Sequence, residues 1–167
     1  MTSIFSGLSA SLIARLSQAA FRDAQTSDME ALTTSQAAAI KATQLNSLST
    51  TNIEAMTATA VSALSPVSLN KLSLALFEVL VADDLAAFTA SQMASLTVTQ
   101  LNALSTTDIQ NLSSEQVRAI TTTQIAGLAL NTIEKFTTTQ IATLTTTQVA
   151  RFTPVRLNAM SAARLQA

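Results

Sequence analysis

The sequence predicts an all-α solenoid: a superhelix of two-turn helices with an eight-residue repeat and three helices per coil. Three observations carry that fold class. First, written in rows of eight from Met1, the chain aligns without a gap as twenty octads and seven residues of another. Second, positions five and eight of the rows are apolar throughout. Position five runs from Phe5, Ile13 and Phe21 to Val149, Leu157 and Leu165, position eight from Leu8 and Leu16 to Phe152 and Met160, and all six Phe fall on these two positions. Third, position one is Thr or Ser in sixteen of twenty-one rows, while position four is Gln in eight rows and Asp or Asn in four.

Apolar stripes at fixed spacing are a core signal, and the polar positions say which secondary structure supplies it. A Ser or Thr hydroxyl followed three residues later by Gln is a capping box. The hydroxyl accepts from the N3 backbone N–H, and the N3 side chain reaches back to the cap's own N–H. Pro66 and Pro154 both occupy position two, the first helical position, where a missing N–H costs nothing. Asp28, Asp83, Asp84, Asp108 and Glu115 fall at positions three and four, where the helix dipole favours negative charge, and Arg15, Arg22, Lys71, Arg118, Lys135 and Arg151 at positions six and seven.

Two rival architectures fail on geometry. Eight residues at about 100° each drift roughly 80° per octad around one continuous helix, so its stripe would soon face every direction. A β-solenoid needs period-two alternation and Gly or Asn at its corners, whereas the core positions lie three and five apart and the chain has 2 Gly. Short helices hinged at Thr or Ser remain. A two-turn helix is far below the length that is stable alone in water, so the octads must stack.

Along the chain, the expectation is a single octad-repeat solenoid over residues 1–167. Residues 1–31 diverge, with Ile4, Phe5, Leu8, Leu12, Ile13 and Leu16 widening the apolar face. An N-terminal cap and an end-to-end contact with another copy are both open there; Ile4, Phe5, Leu12 and Leu165 are the candidate end-to-end residues. Residues 32–64 and 88–160 are regular. Residues 32–56 match 88–112 at 13 of 25 positions, a shift of seven octads that reads as segmental duplication. Gln at position four recurs in two rows of three from octad twelve onward, which suggests the three-helix coil. Between the regular parts, residues 65–87 form an irregular apolar junction in which Leu74, Leu76, Val79 and Val81 take positions that are elsewhere mostly Thr, Ala, Gln or another polar residue. Either the core is locally fatter, with a longer fused helix, or these four residues form an exposed docking patch. The final row stops in mid-octad, without a polar capping helix, which motivates filament assembly as one possibility.

Composition narrows function. Charged residues are 11% of the chain against about 25% in typical proteins, so Thr, Ser, Gln and Asn are expected to form the exterior. A net charge of −1 gives no pull toward nucleic acid or an anionic membrane. The sequence has no Cys, His, Trp or Tyr, which removes disulfides, thiolate zinc sites, imidazole ligands and the commonest general base. The acidic groups Asp83–Asp84 and Asp23, Asp28, Glu30 read as helix-turn charges or solvated surface. No stretch has the length of a membrane span or the pattern of a secretory signal. The expectation is a non-enzyme without metal or cofactor.

The phrases TTTQIAGL (121–128), TTTQIATL (137–144) and TTTQVARF (145–152) resemble the Leu-Thr-Thr-x-Gln-Ile/Val octad arrays of very large bacterial exoproteins labelled haem-utilisation, adhesion or RTX-like. The likeness covers residues 32–64 and 88–160 best. It implies secretion without a Sec signal and a spacer or adhesion role at the cell surface, with the cytoplasm left open. No haem ligand carries over, because His, Cys and Tyr are absent. The expected function is a structural or adhesion module: a stalk, a spacer or a self-assembling surface element, with the chain itself or a cell-surface polysaccharide as partner. The alternative is a threonine-array surface that binds ice or polysaccharide.

Overall fold

The computed structural model describes residues 4–160. They form an all-α repeat solenoid of eighteen short α-helices and one 3-10 turn, Leu85–Ala87, with no strand among the described residues. Most helices run four to six residues, and each starts where position one of an octad predicts. Wherever a described position one is Ser or Thr, its hydroxyl accepts the backbone N–H three residues on, with Ser73 the exception. Each such residue is extended, at φ near −70° and ψ near 160° in Thr121 and Thr137, so the hinge and the cap are one residue. Pro66 and Pro154 open their helices as expected.

The chain forms two compact units, residues 1–88 and 89–167. In the first, helix Ala10–Ile13 packs on Thr34–Ala39 and that on Ala58–Ala63; Gln18–Arg22 packs on Ala42–Leu45 and that on Pro66–Asn70; Thr26–Glu30 packs on Thr50–Glu54 and that on Leu74–Asp84. In the second, Ala90–Ser95 packs on Ser114–Ala119, and Thr122–Gly127 on Thr146–Val149. Every pair is three octads apart, so one coil is three helices and 24 residues. Positions five and eight point inward: Ile13, Phe21, Met29, Leu45, Ile53 and Leu69 are fully buried in the first unit, and Met93, Ile109, Val117 and Ile125 all but fully in the second. Phe5 and Phe21 anchor the first coil, with ring centroids 5.0 Å apart at 44°.

Three expectations change. The Gln of position four do not belong to the exterior: all eight are buried, for a reason given below. Asp28 keeps its first-turn place but is fully buried rather than solvated, its carboxylate accepting from the Gln25 and Phe5 N–H groups at 2.8 and 3.3 Å. Asp83 and Asp84 do not open a helix. They end the eleven-residue helix Leu74–Asp84, which runs through Val81, position one of its octad, without a break. The longer fused helix is therefore what fills the junction. Asp84 sits where the helix dipole disfavours it, and burial followed by the neighbouring Asp83 charge raises its pKa above the ordinary aspartate value.

Candidate interaction surfaces

The recurring polar side chains are mostly consumed by the fold. Gln124 shows how. Its Oε1 accepts the Thr121 N–H at 2.6 Å, closing the capping box. Its Nε2 donates to the carbonyls of Met93 at 3.0 Å and Leu96 at 2.6 Å, positions five and eight of the octad four rows earlier. Those carbonyls terminate a helix and lack intrahelical partners for part of their capacity. One buried amide thus ties a helix start to a helix end in the coil beneath. Gln36 binds Phe5 and Leu8 in the same way, both at 2.9 Å, and Gln44 binds Ile13 and Leu16. Gln140 binds Ile109 and Leu112, and Gln148 binds Val117 and Ile120.

Substituted rows keep as much of this joint as their chemistry permits. Asn52 and Ser68, being shorter, reach one carbonyl each, Ala24 at 2.9 Å and Ile40 at 2.8 Å. Arg156 spans both, Nη1 to Ile125 and Nη2 to Leu128. The rows of Leu76 and Thr132 carry neither amide nor charge at position four, and in both the helix-start N–H is served from outside. The Ser73 N–H donates to Asn46 Oδ1 at 2.7 Å, and the Ala129 N–H to Asn102 Oδ1 at 2.9 Å. Asn46 and Asn102 are separated by the seven-octad duplication shift, as are Ser73 and Ala129. In the Thr132 row, Lys135 Nζ takes over the Leu104 carbonyl at 2.5 Å, which leaves the Thr132 hydroxyl buried without a partner.

This joint could have been found in the sequence. Position four is Ile4, Leu12 and Ala20 in the first three rows and turns polar at Asp28, which accepts the Phe5 N–H, and at Gln36, which donates to the Phe5 and Leu8 carbonyls. The structure therefore leaves an apolar end on the first coil, where Ile4 and Leu12 are 48% and 49% exposed. Phe5, taken with them as an end-contact candidate, is buried against Phe21. Leu165 lies outside the described residues. The junction candidates separate in the same manner: Leu74 is 39% exposed, Leu76 and Val79 are half-buried, and Val81 joins Phe77, Leu80 and Leu85 in the core. Spaced three and four residues apart, those core residues form one helical stripe, so the four candidates do not make one exposed face.

The surface itself is hydroxylic. Position three is exposed in every described row. In the second unit, Thr99, Thr123 and Thr147 occupy it on the octads that begin at Thr97, Thr121 and Thr145. Gly127 lets two of these octads approach closely: a Cβ there would lie 2.8 Å from Val98 Cγ2. No group of three or more acidic residues able to hold a metal ion occurs among the described residues, and no helix among them is long and apolar enough to cross a membrane.

Residues 99–130 match the sequence family described as the ALTTAQ repeat, so a repeat-type sequence coincides with part of the second unit. No curated protein and no solved structure matches the chain.

Proposed function

We propose that this chain is a non-catalytic structural or adhesion repeat module, used as a stalk or spacer at the surface of a bacterial cell and exported without a Sec signal. The observation that carries the reading is the use of position four: its recurring Gln is buried, with the amide of Gln36, Gln44, Gln124, Gln140 and Gln148 spent on the inter-coil joint, so its recurrence serves stacking and not a ligand. What faces solvent is a monotonous Thr and Ser surface with few charges. The resemblance to octad arrays of large exoproteins supports the location, and the ALTTAQ match supports the repeat character.

The second reading, a threonine surface that binds polysaccharide or ice, draws on the exposed Thr99, Thr123 and Thr147. Helices in contact lie about 8–10 Å apart, which sets the spacing of hydroxyl rows between coils. A glycan array and an ice-recrystallisation assay on the folded chain separate the two. Silence in both is the spacer's outcome. A glycan signal that Thr123→Ala abolishes would transfer the chain to the recognition class, and turnover of any substrate in a hydrolase panel would overturn the non-catalytic reading.

A further inference from the structure

We infer that the first unit associates side by side with a second copy of this chain, the acidic face of one copy lying against the basic face of the next. Charge in this unit follows the coil. Glu30, Glu54 and Glu78 all stand at position six, one coil apart, on the helices Thr26–Glu30, Thr50–Glu54 and Leu74–Asp84, which pack one on the other. All three are exposed, and no Lys or Arg occurs anywhere in their octads, 25–32, 49–56 and 73–80. The neighbouring stack is Gln18–Arg22, Ala42–Leu45 and Pro66–Asn70. Its octads, 17–24, 41–48 and 65–72, hold the exposed Arg22, Lys41 and Lys71, one per coil, against a single acid, Asp23. The second unit is not sorted in this way: Glu115 shares its octad with Arg118, and Glu134 with Lys135.

The fold itself does not call for these glutamates. Glu30 and Glu54 are the last residues of their helices, where the helix dipole disfavours negative charge, and no basic residue stands in the last turn of any of the three helices. None of the three carboxylates, and none of the cations of Arg22, Lys41 and Lys71, has a hydrogen bond or an ion pair among the described residues. The carboxylates are strung out one per coil, at the roughly 8–10 Å spacing of helices in contact, and do not converge as a metal site requires. What answers such a strip is a set of cations with the same rise. The stack that holds Arg22, Lys41 and Lys71 has it, because both stacks are built on one coil. Laid against each other in two copies, the faces set three glutamates opposite three cations, with Asp23 the one like charge. Because the two faces differ, the contact is heterologous, and each copy in a pair keeps one face for a further copy. Exposed ion pairs are individually weak and are screened by salt, so the association is weak and salt-sensitive.

Sedimentation equilibrium of the full chain, at concentrations up to about 1 mM, tests this. The average mass is expected to exceed that of the monomer at about 10 mM NaCl, where the Debye length is roughly 30 Å, and to return to it at about 1 M, where it is roughly 3 Å. Neutralising either face, by Glu30→Gln, Glu54→Gln and Glu78→Gln together or by Arg22→Gln, Lys41→Gln and Lys71→Gln together, is expected to weaken association at least about tenfold. Mixing the two triple variants restores it but stops at one-to-one dimers, because each retains only one of the two faces. A chain that stays monomeric at low salt would overturn the inference, whether or not it binds polylysine; binding would assign the glutamates to a cationic partner of another kind. Association that persists at about 1 M NaCl, or that either triple variant retains in full, would overturn it as well. If a triple variant melts early by circular dichroism, the single reversals Glu54→Lys and Glu115→Lys keep the test decisive: only the first is expected to weaken association, and equal effects would contradict it.

Discussion

Gln124 Nε2 donates at 2.6 Å to the carbonyl oxygen of Leu96, 28 residues earlier in the chain, while its Oε1 holds the N–H of Thr121. A single side chain therefore satisfies both ends of the helix-terminus problem in two different coils. Replacing it by Leu leaves one donor and two acceptors short of a partner, and Gln124→Leu is expected to lower stability by about 2–4 kcal/mol, read from the urea midpoint. Gln124→Glu is the sharper probe. It keeps the acceptor for Thr121 but faces the Met93 and Leu96 carbonyls with negative charge, so it should be worse than Leu at pH 7 and recover partly at pH 4, where the carboxylic acid donates once.

Thr132 makes the opposite prediction. Its hydroxyl is buried and unpartnered because Lys135 has claimed the Leu104 carbonyl. Thr132→Val removes the orphan at nearly constant volume and is expected to stabilise the second unit by about 1–2 kcal/mol. An unchanged or lowered thermal midpoint would show that the hydroxyl finds a partner in solution.

Gly127 and Val98 should couple. Alanine has the better helix propensity by about 1 kcal/mol, yet a Cβ at residue 127 would meet Val98 Cγ2 at 2.8 Å and Cγ1 at 3.0 Å, and a β-branched side chain has little rotamer freedom to yield. Gly127→Ala is expected to destabilise the native chain and to stabilise a Val98→Ala background. A double-mutant cycle in denaturant measures that change of sign.

Asp84 gives the pH dependence. Burial and the adjacent Asp83 raise its folded pKa above the ordinary value, so its contribution to stability is fully present below the unfolded aspartate pKa of about 3.9 and is lost as pH rises through the folded pKa. Asp84→Asn should therefore raise the melting temperature at pH 7 and lose that advantage at pH 3. Equal gains at both values would assign the effect to packing.

Most of the architecture is legible in the residues. Thr121 and Gln124 announce a cap, Ile125 and Leu128 a core pair, and Pro66 and Pro154 the helix starts. The inverted roles come from tertiary competition that a local pattern does not carry. Position four looks like surface because Gln is polar and completes a local box; its Nε2 partners lie 28 and 31 residues away. Asp83 and Asp84 look like first-turn acids, but the helix runs on through Val81 to Asp84, one long helix in place of two short ones. Leu76 and Thr132 look like simple defects, whereas Asn46 and Asn102, seven octads apart, supply the lost acceptor from the preceding coil.

The inter-coil joint is tested most directly by hydrogen exchange of glutamine side-chain amides, resolved residue by residue by NMR. The Nε2 protons of Gln36, Gln44, Gln124, Gln140 and Gln148, buried and bonded to carbonyls of the coil beneath, are expected to exchange slowly, while those of the exposed Gln18, Gln25 and Gln110 exchange at the rate of free amides. Position-four amides that exchange as fast as those of Gln18 and Gln110 would contradict it.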